Sequence, residues 1–136
     1  MNRLFTYTVG TALLLGTLTS CTKDDDVTPA NISGTYIAYE METYNPAETI
    51  RLPSDEGERA EITVTLQTDS TAHLRVALFK FDAILLDEQV NCRLDRDGDE
   101  GISLYALSNG ERAAYLIEKD EIDVYWLPQT RISARK

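Results

Sequence analysis

Histidine and tryptophan each occur once in these 136 residues, and cysteine only twice, at positions 21 and 92. That scarcity removes whole classes of chemistry. A Ser-His-Asp hydrolase or a Cys-His pair would have to rest on His73 alone, and the alternation around His73 turns it to the outer face of its strand. Bases are also few: 13 Lys and Arg stand against 23 Asp and Glu, a formal net charge of −10. A surface this acidic repels phosphate backbones, which argues against nucleic acid as a partner. No stretch keeps a 3.6-residue apolar period, so no amphipathic helix is expected. No apolar run reaches the roughly 20 residues that carry a helix across a bilayer, and no segment repeats.

What is present begins with an apolar N-terminus. Arg3 precedes a run from Leu4 to Leu18 that holds no Asp, Glu or Lys and is diluted by Thr and Gly. Its length and its flank are those of a signal peptide, so residues 1–20 are set apart from the fold. The run closes on Leu18-Thr19-Ser20-Cys21, which resembles the lipobox of bacterial lipoproteins. That resemblance implies cleavage before Cys21 and a diacylglycerol on its sulfur. One acyl chain anchors marginally and two or more hold stably, at about 0.8 kcal/mol per buried CH₂. Cys92 is then the only free thiol, and no intramolecular disulfide forms. The next residues, Lys23, Asp24, Asp25 and Asp26, resemble the acidic export signal of Bacteroidetes surface lipoproteins. Residues 21–30 are expected to form an acidic tether. The implied address is the outer membrane, lipid-anchored and exposed at the cell surface.

Residues 31–136 read as one all-β domain. Period-2 alternation marks strands. Ile37, Tyr39 and Met41 share one face of the first, with Tyr36, Ala38 and Glu40 on the other, and Tyr44-Asn45-Pro46 ends it. Residues 46–59 read as a long polar loop. Residues 61–67 are the cleanest strand, with Ile62, Val64 and Leu66 on one side. After the turn Thr68-Asp69-Ser70-Thr71, a strand carries Leu74, Val76 and Leu78. The phase slips at Leu78-Phe79, where a bulge or a doubly covered strand end is expected. Residues 82–89 fit either more strand or one helical turn. Val90, Cys92 and Leu94 mark another strand, with Cys92 on the apolar side, where a buried and inert thiol is expected. Ile102 to Leu107, Ala113 to Ile117, Ile122 to Trp126 and Thr130 to Ala134 follow. Asn109-Gly110 predicts a type I′ hairpin, because both central residues of that turn need positive φ. Seven or eight strands in consecutive hairpins predict an antiparallel meander closed into a small barrel, with a β-sandwich as the alternative.

The lipidated Cys, the acidic leash and the opening strand Ser33-Gly34-Thr35-Tyr36 together resemble small Bacteroidetes-type lipoproteins with lipocalin-like domains. The lipocalin pattern carries Gly-x-Trp on its first strand, and the ring plugs the closed end of the barrel. Gly34 and Tyr36 stand at those positions. Arg131 is the nearest counterpart of the Arg that the pattern carries on its last strand.

The remaining chemistry is sparse. Asp95, Asp97 and Asp99 are spaced like positions 1, 3 and 5 of an EF-hand loop. The Gly of position 6 and the Glu of position 12 are replaced by Glu100 and Ala106, so these three are weak metal candidates and a solvated turn is the default. No cofactor is expected, and no carboxylate pair stands out for catalysis. Aromatic side chains are the better lead. Tyr36, Tyr39, Tyr105, Tyr115 and Trp126, with Tyr125, lie in predicted strands. They either line a pocket or fill a barrel narrow enough to be packed by its own side chains. The expected function is a non-catalytic binding module for a small apolar or glycan-like ligand. The alternative is a protein-interaction or inhibitor lipoprotein that turns its acidic face and residues 46–59 to a cationic partner.

Overall fold

The computed structural model describes residues 27–96 and 101–136. Cys21, Lys23, Asp24, Asp25, Asp26, Asp97 and Asp99 lie outside the described residues. After a 3-10 turn at Pro29–Asn31 come nine strands: β1 Gly34–Tyr44, β2 Ala47–Arg51, β3 Glu58–Thr68, β4 Thr71–Lys80, β5 Ala83–Arg96, β6 Ile102–Ala106, β7 Arg112–Glu118, β8 Glu121–Val124 and β9 Thr130–Arg135. All neighbours run antiparallel. The order is β2-β1-β3-β4-β5-β6-β7-β8-β9, and β1 also pairs with β9. That last pairing closes β1 and β3–β9 into an eight-stranded barrel and leaves β2 outside it as an extra strand. The sheet is one closed surface, not the two layers of a sandwich.

β1 has two neighbours along one edge. Its first residues pair with β3, Gly34 opposite Val64 and Ile37 opposite Glu61. Its second half pairs with β2, Met41 opposite Ile50. β9 takes the whole of its other edge from Ile37 to Thr43, with a bulge at Tyr39. The bulge changes which side chains point inward. Tyr36 and Ala38 are buried, while Ile37 is exposed and Met41 packs against the core. The sequence reading placed Ile37 and Met41 on one face; the extra residue separates them.

Two local expectations need correction and one open reading is decided. The loop expected over residues 46–59 contains β2. Its five residues bury no side chain fully, so no alternation marks them. Residues 83–89 are strand, the upper half of a 14-residue β5. They read ambiguously because this half stands beyond the core, with Ile84 and Leu85 exposed. The Asn109-Gly110 turn is not type I′, since only Gly110 of the pair has positive φ. Residues 107–110 form a four-residue loop in which Gly110 N–H donates to Ala106 O at 2.9 Å and Asn109 Oδ1 accepts from Glu111 N–H at 2.9 Å. The slip at Leu78-Phe79 is a bulge, as expected, with the extra residue on β5: Leu78 faces Leu86 and Phe79 faces Ile84, leaving Leu85 unpaired.

The core is one contiguous cluster from every barrel strand. Ile62 of β3, Leu74 and Val76 of β4, Cys92 of β5, Ile102 and Leu104 of β6, Leu116 of β7, Ile122 of β8 and Ile132 of β9 are all fully buried. Burying each large aliphatic chain contributes about 1.5–3 kcal/mol. These residues are the inward half of each alternation, so the barrel interior is filled by the chain itself.

Candidate functional site

The two ends of the barrel differ. The end where β1 begins is shut. Val27, which the sequence reading gives to the tether, is buried there together with Ile32. Tyr36 lies across this end with no exposed surface. Its hydroxyl donates to Ile32 O at 2.7 Å and Lys119 O at 3.2 Å. Burial, then the nearby Asp120 charge, holds its ionisation well above the ordinary tyrosine value. The Lys136 ammonium sits 5.1 Å from the centre of the Tyr36 ring and donates to Asn31 O at 2.6 Å. Arg96 donates to Val27 O at 2.7 Å. The cation on the plug is therefore Lys136. Arg131 lies elsewhere, paired with Glu42 at 2.8 Å.

The opposite end is the mouth. The two-residue β4–β5 turn, Phe81-Asp82, projects there. Phe81 has φ of 53° while Asp82 is not in the positive region. Positive φ is uncommon for a bulky side chain and is the conformation that usually takes Gly. Phe81 is 68% exposed, and Ile84 and Leu85 are 58% and 59% exposed. Phe81 N–H donates to Gly57 O at 2.8 Å. Its ring covers Gly57 so closely that a Cβ there would lie 2.5 Å from it. Phe81 thus combines an uncommon backbone conformation with an exposed aromatic ring, a pairing that concentrates at functional positions.

Beside this turn lies an apolar recess of about 70 Å³, lined by Met41, Leu52, Glu58, Arg59, Leu78, Phe79 and Leu85. The Arg59 guanidinium stacks 3.9 Å from the Phe79 ring centre and bonds Glu61 at 2.6 Å. The bulge at Leu85 turns that side chain toward the recess. A second, polar cleft of about 460 Å³ follows β2, lined by Glu48, Thr49, Ile50, Arg51, Ser54, Glu56 and Glu58. Glu58 borders both.

The aromatic candidates do not gather around one space. Tyr36 fills the closed end. Tyr39 is on the outer face, its hydroxyl bonded to Glu121 at 2.5 Å and its ring 4.1 Å from Arg135. Tyr105 stacks with Arg93 at 4.6 Å, and Tyr115 and Tyr125 share Arg112 at 5.5 and 5.0 Å. Trp126 is half-buried against the core. His73 is on the outer face between Asn91 and Gln89, at 3.0 and 3.1 Å. Cys92 is buried on the inner face, and burial pushes its thiol up to about 11. Asp95 pairs with Arg93 at 3.1 Å. Among the described residues, no group of three or more His, Cys, Asp or Glu is placed to hold a metal ion. Sequence reasoning missed Phe81 and Leu52 as mouth residues and Lys136 as the cation on Tyr36. The misplaced phase at Leu78-Phe79 was the available signal for the first. No protein-family model, curated protein or solved structure matches the chain.

Proposed function

We propose that this chain is an outer-membrane lipoprotein, anchored through Cys21 and displayed at the cell surface by Lys23, Asp24, Asp25 and Asp26, whose barrel is a non-catalytic binding module. It engages its ligand at the mouth and not in the interior. The observation that carries this reading is the contrast between the two regions. The inward side chains fill the interior, while Phe81, Ile84 and Leu85 stand exposed at the mouth, where Leu85 lines the apolar recess. Pockets for drug-sized molecules run to about 300–1,000 Å³, so the recess suits one small apolar group, such as the end of an acyl chain or a side chain. The lipocalin-like reading of the barrel draws support from Gly34 and Tyr36, since Tyr36 plugs the closed end and a cation from the end of the chain lies on its ring. The recess supplies apolar surface, the Arg59 guanidinium and the Glu58 carboxylate, a lining that suits binding of a small apolar group.

The test is thermal unfolding of wild type and of a Phe81→Ser, Leu85→Ser double variant with a panel of short fatty acids, alkyl glycosides and apolar peptides. The expected result is a ligand-dependent rise in midpoint that the double variant loses, with its own fold intact because both side chains are exposed. A ligand that stabilises both proteins equally would place binding elsewhere and sink the mouth.

A further inference from the structure

Among the described residues β2 pairs with β1 alone. The direction of its free groups follows from two hydrogen bonds. Leu52 N–H donates to Tyr39 O at 2.9 Å, so Leu52 faces β1; Tyr44 N–H donates to Gln129 O at 3.1 Å, so Tyr44 faces away from β2. Backbone groups alternate sides along a strand. Glu48 and Ile50 therefore bond β1, and the N–H and C=O of Ala47, Thr49 and Arg51 point outward along an open edge. Such an edge is a template for another strand.

The surroundings say what kind of strand. The polar cleft follows this edge and holds Glu48, Glu56 and Glu58 against Arg51. Among the described residues Glu48, Glu56 and Glu58 have no salt-bridge partner. A second cleft of about 320 Å³ at the β1–β2 hairpin shares Glu48 and Thr49 and adds Glu42, which is paired with Arg131. A second copy of this chain would bring the same carboxylates and a net charge of −10 to meet them, so self-pairing is opposed by like charge. A basic strand meets no such penalty. Glu58 also borders the apolar recess, so a strand on this edge ends beside a place for one apolar side chain.

We propose that the outer edge of β2 docks an extended, Lys- or Arg-bearing segment of a partner protein by strand addition. The segment's backbone bonds Ala47, Thr49 and Arg51, and its cationic side chains face Glu48, Glu56 and Glu58. Main-chain bonds supply affinity in this mode and side-chain sites supply specificity. The proposal rests on the barrel being a binding module but not on the exposed ring of Phe81.

The experiment uses the full chain, ¹⁵N-labelled and held in nonionic detergent, titrated with a peptide of alternating Lys and Val and with its Glu-Val counterpart. The expected result is shifted and slowed amide signals at Ala47, Thr49 and Arg51 with the Lys-Val peptide alone, and an affinity that falls with added salt. Thr49→Pro removes an outward N–H without removing a bond to β1, and weakens binding about tenfold by loss of one bond and a steric block. Glu56→Gln with Glu58→Gln is the second variant, which keeps side-chain size and the amide oxygen that can still accept from Ser54, and flattens the salt dependence. No binding of the Lys-Val peptide, equal binding of both peptides, or affinity unchanged in both variants overturns the proposal. A dimer in sedimentation that Thr49→Pro abolishes also overturns it, by giving the edge to a second copy. Loss of ligand response in the Phe81→Ser, Leu85→Ser variant with these amide shifts retained separates failure at the mouth from failure at the edge.

Discussion

Tyr36 shows how one side chain joins distant parts of this fold. Its ring is buried and its hydroxyl serves two carbonyls, of Ile32 and Lys119, that come from opposite ends of the chain. Tyr36→Phe keeps the packing and leaves both carbonyls without this donor. The expected cost is about 1–3 kcal/mol, read as a lower urea midpoint with an unchanged slope. Cys92 and Tyr36 are expected to weaken the fold in alkali. Both have ionisation raised by burial, Cys92 from 9.0 to about 11 and Tyr36 upward from 10.0. Above pH 9 the unfolded chain releases the Cys92 proton while the folded chain keeps it. Stability is therefore intact below pH 9 and falls between pH 9 and 11, by on the order of 2–3 kcal/mol for Cys92. Tyr36 adds to the loss above pH 10. Melting curves from pH 8 to 11 on wild type and Cys92→Ala check this, the variant being less stable at pH 8 and losing less on going to pH 11. The inert, inward Cys92 was legible from the alternation of Val90, Cys92 and Leu94. The neighbours of Tyr36 were not, because the hydroxyl reaches across 83 positions of sequence.

β2 is the element that sequence patterning passed over. An edge strand with no buried face has no reason to alternate, so Ala47-Glu48-Thr49-Ile50-Arg51 looks like loop. Its backbone predicts distinct behaviour. Among the described residues the outward amides of Ala47, Thr49 and Arg51 have no strand partner, whereas those of Ile62 and Val64 sit within the β1–β3–β4 sheet. Hydrogen exchange is expected to be fast at the first three and slow at the last two, with Glu48 and Ile50 between them. Protection at Thr49 equal to that at Val64 would mean that β2 has a second partner. The β4–β5 hairpin teaches a related lesson. Its pairing carries on past the core, so Ala83, Ile84 and Leu85 keep strand geometry without burial. The bulge that brings Leu85 to the recess was visible only as a slip in phase at Leu78-Phe79. At residues 107–111 the Asn-Gly pair marked a hairpin correctly. The longer loop was chosen by the register of Tyr105 opposite Arg112, which no dipeptide rule contains.

Across the whole molecule the mouth and the N-terminal entry lie at opposite ends. The ten residues of β4 extend about 33 Å along the strand, which tilt reduces to roughly 25 Å along the axis. A chain held through residues before Val27 presents its closed end to the anchor and its mouth away from it. That polarity suits the proposed surface binding module. Replacing Cys21 by Ser is expected to move the protein from the membrane fraction to the soluble fraction, with the same melting midpoint. Membrane recovery of the Ser variant would remove the lipid anchor from the proposal.

Period-2 patterning is a local property, so the sequence alone determined most of the barrel strands, which side chains face inward on most of them, and that hairpins join them, while it passed over β2 and left residues 82–89 open. The acidic balance and the shortage of His and Cys likewise need no coordinates. Closure was decided only in three dimensions, because it depends on Ile37 meeting Arg135 and Thr43 meeting Thr130. The same holds for the filled interior, the open edge of β2 and the exposed ring of Phe81. Each depends on which distant segment comes to lie beside a residue, and alternation along one strand carries no information about its neighbours.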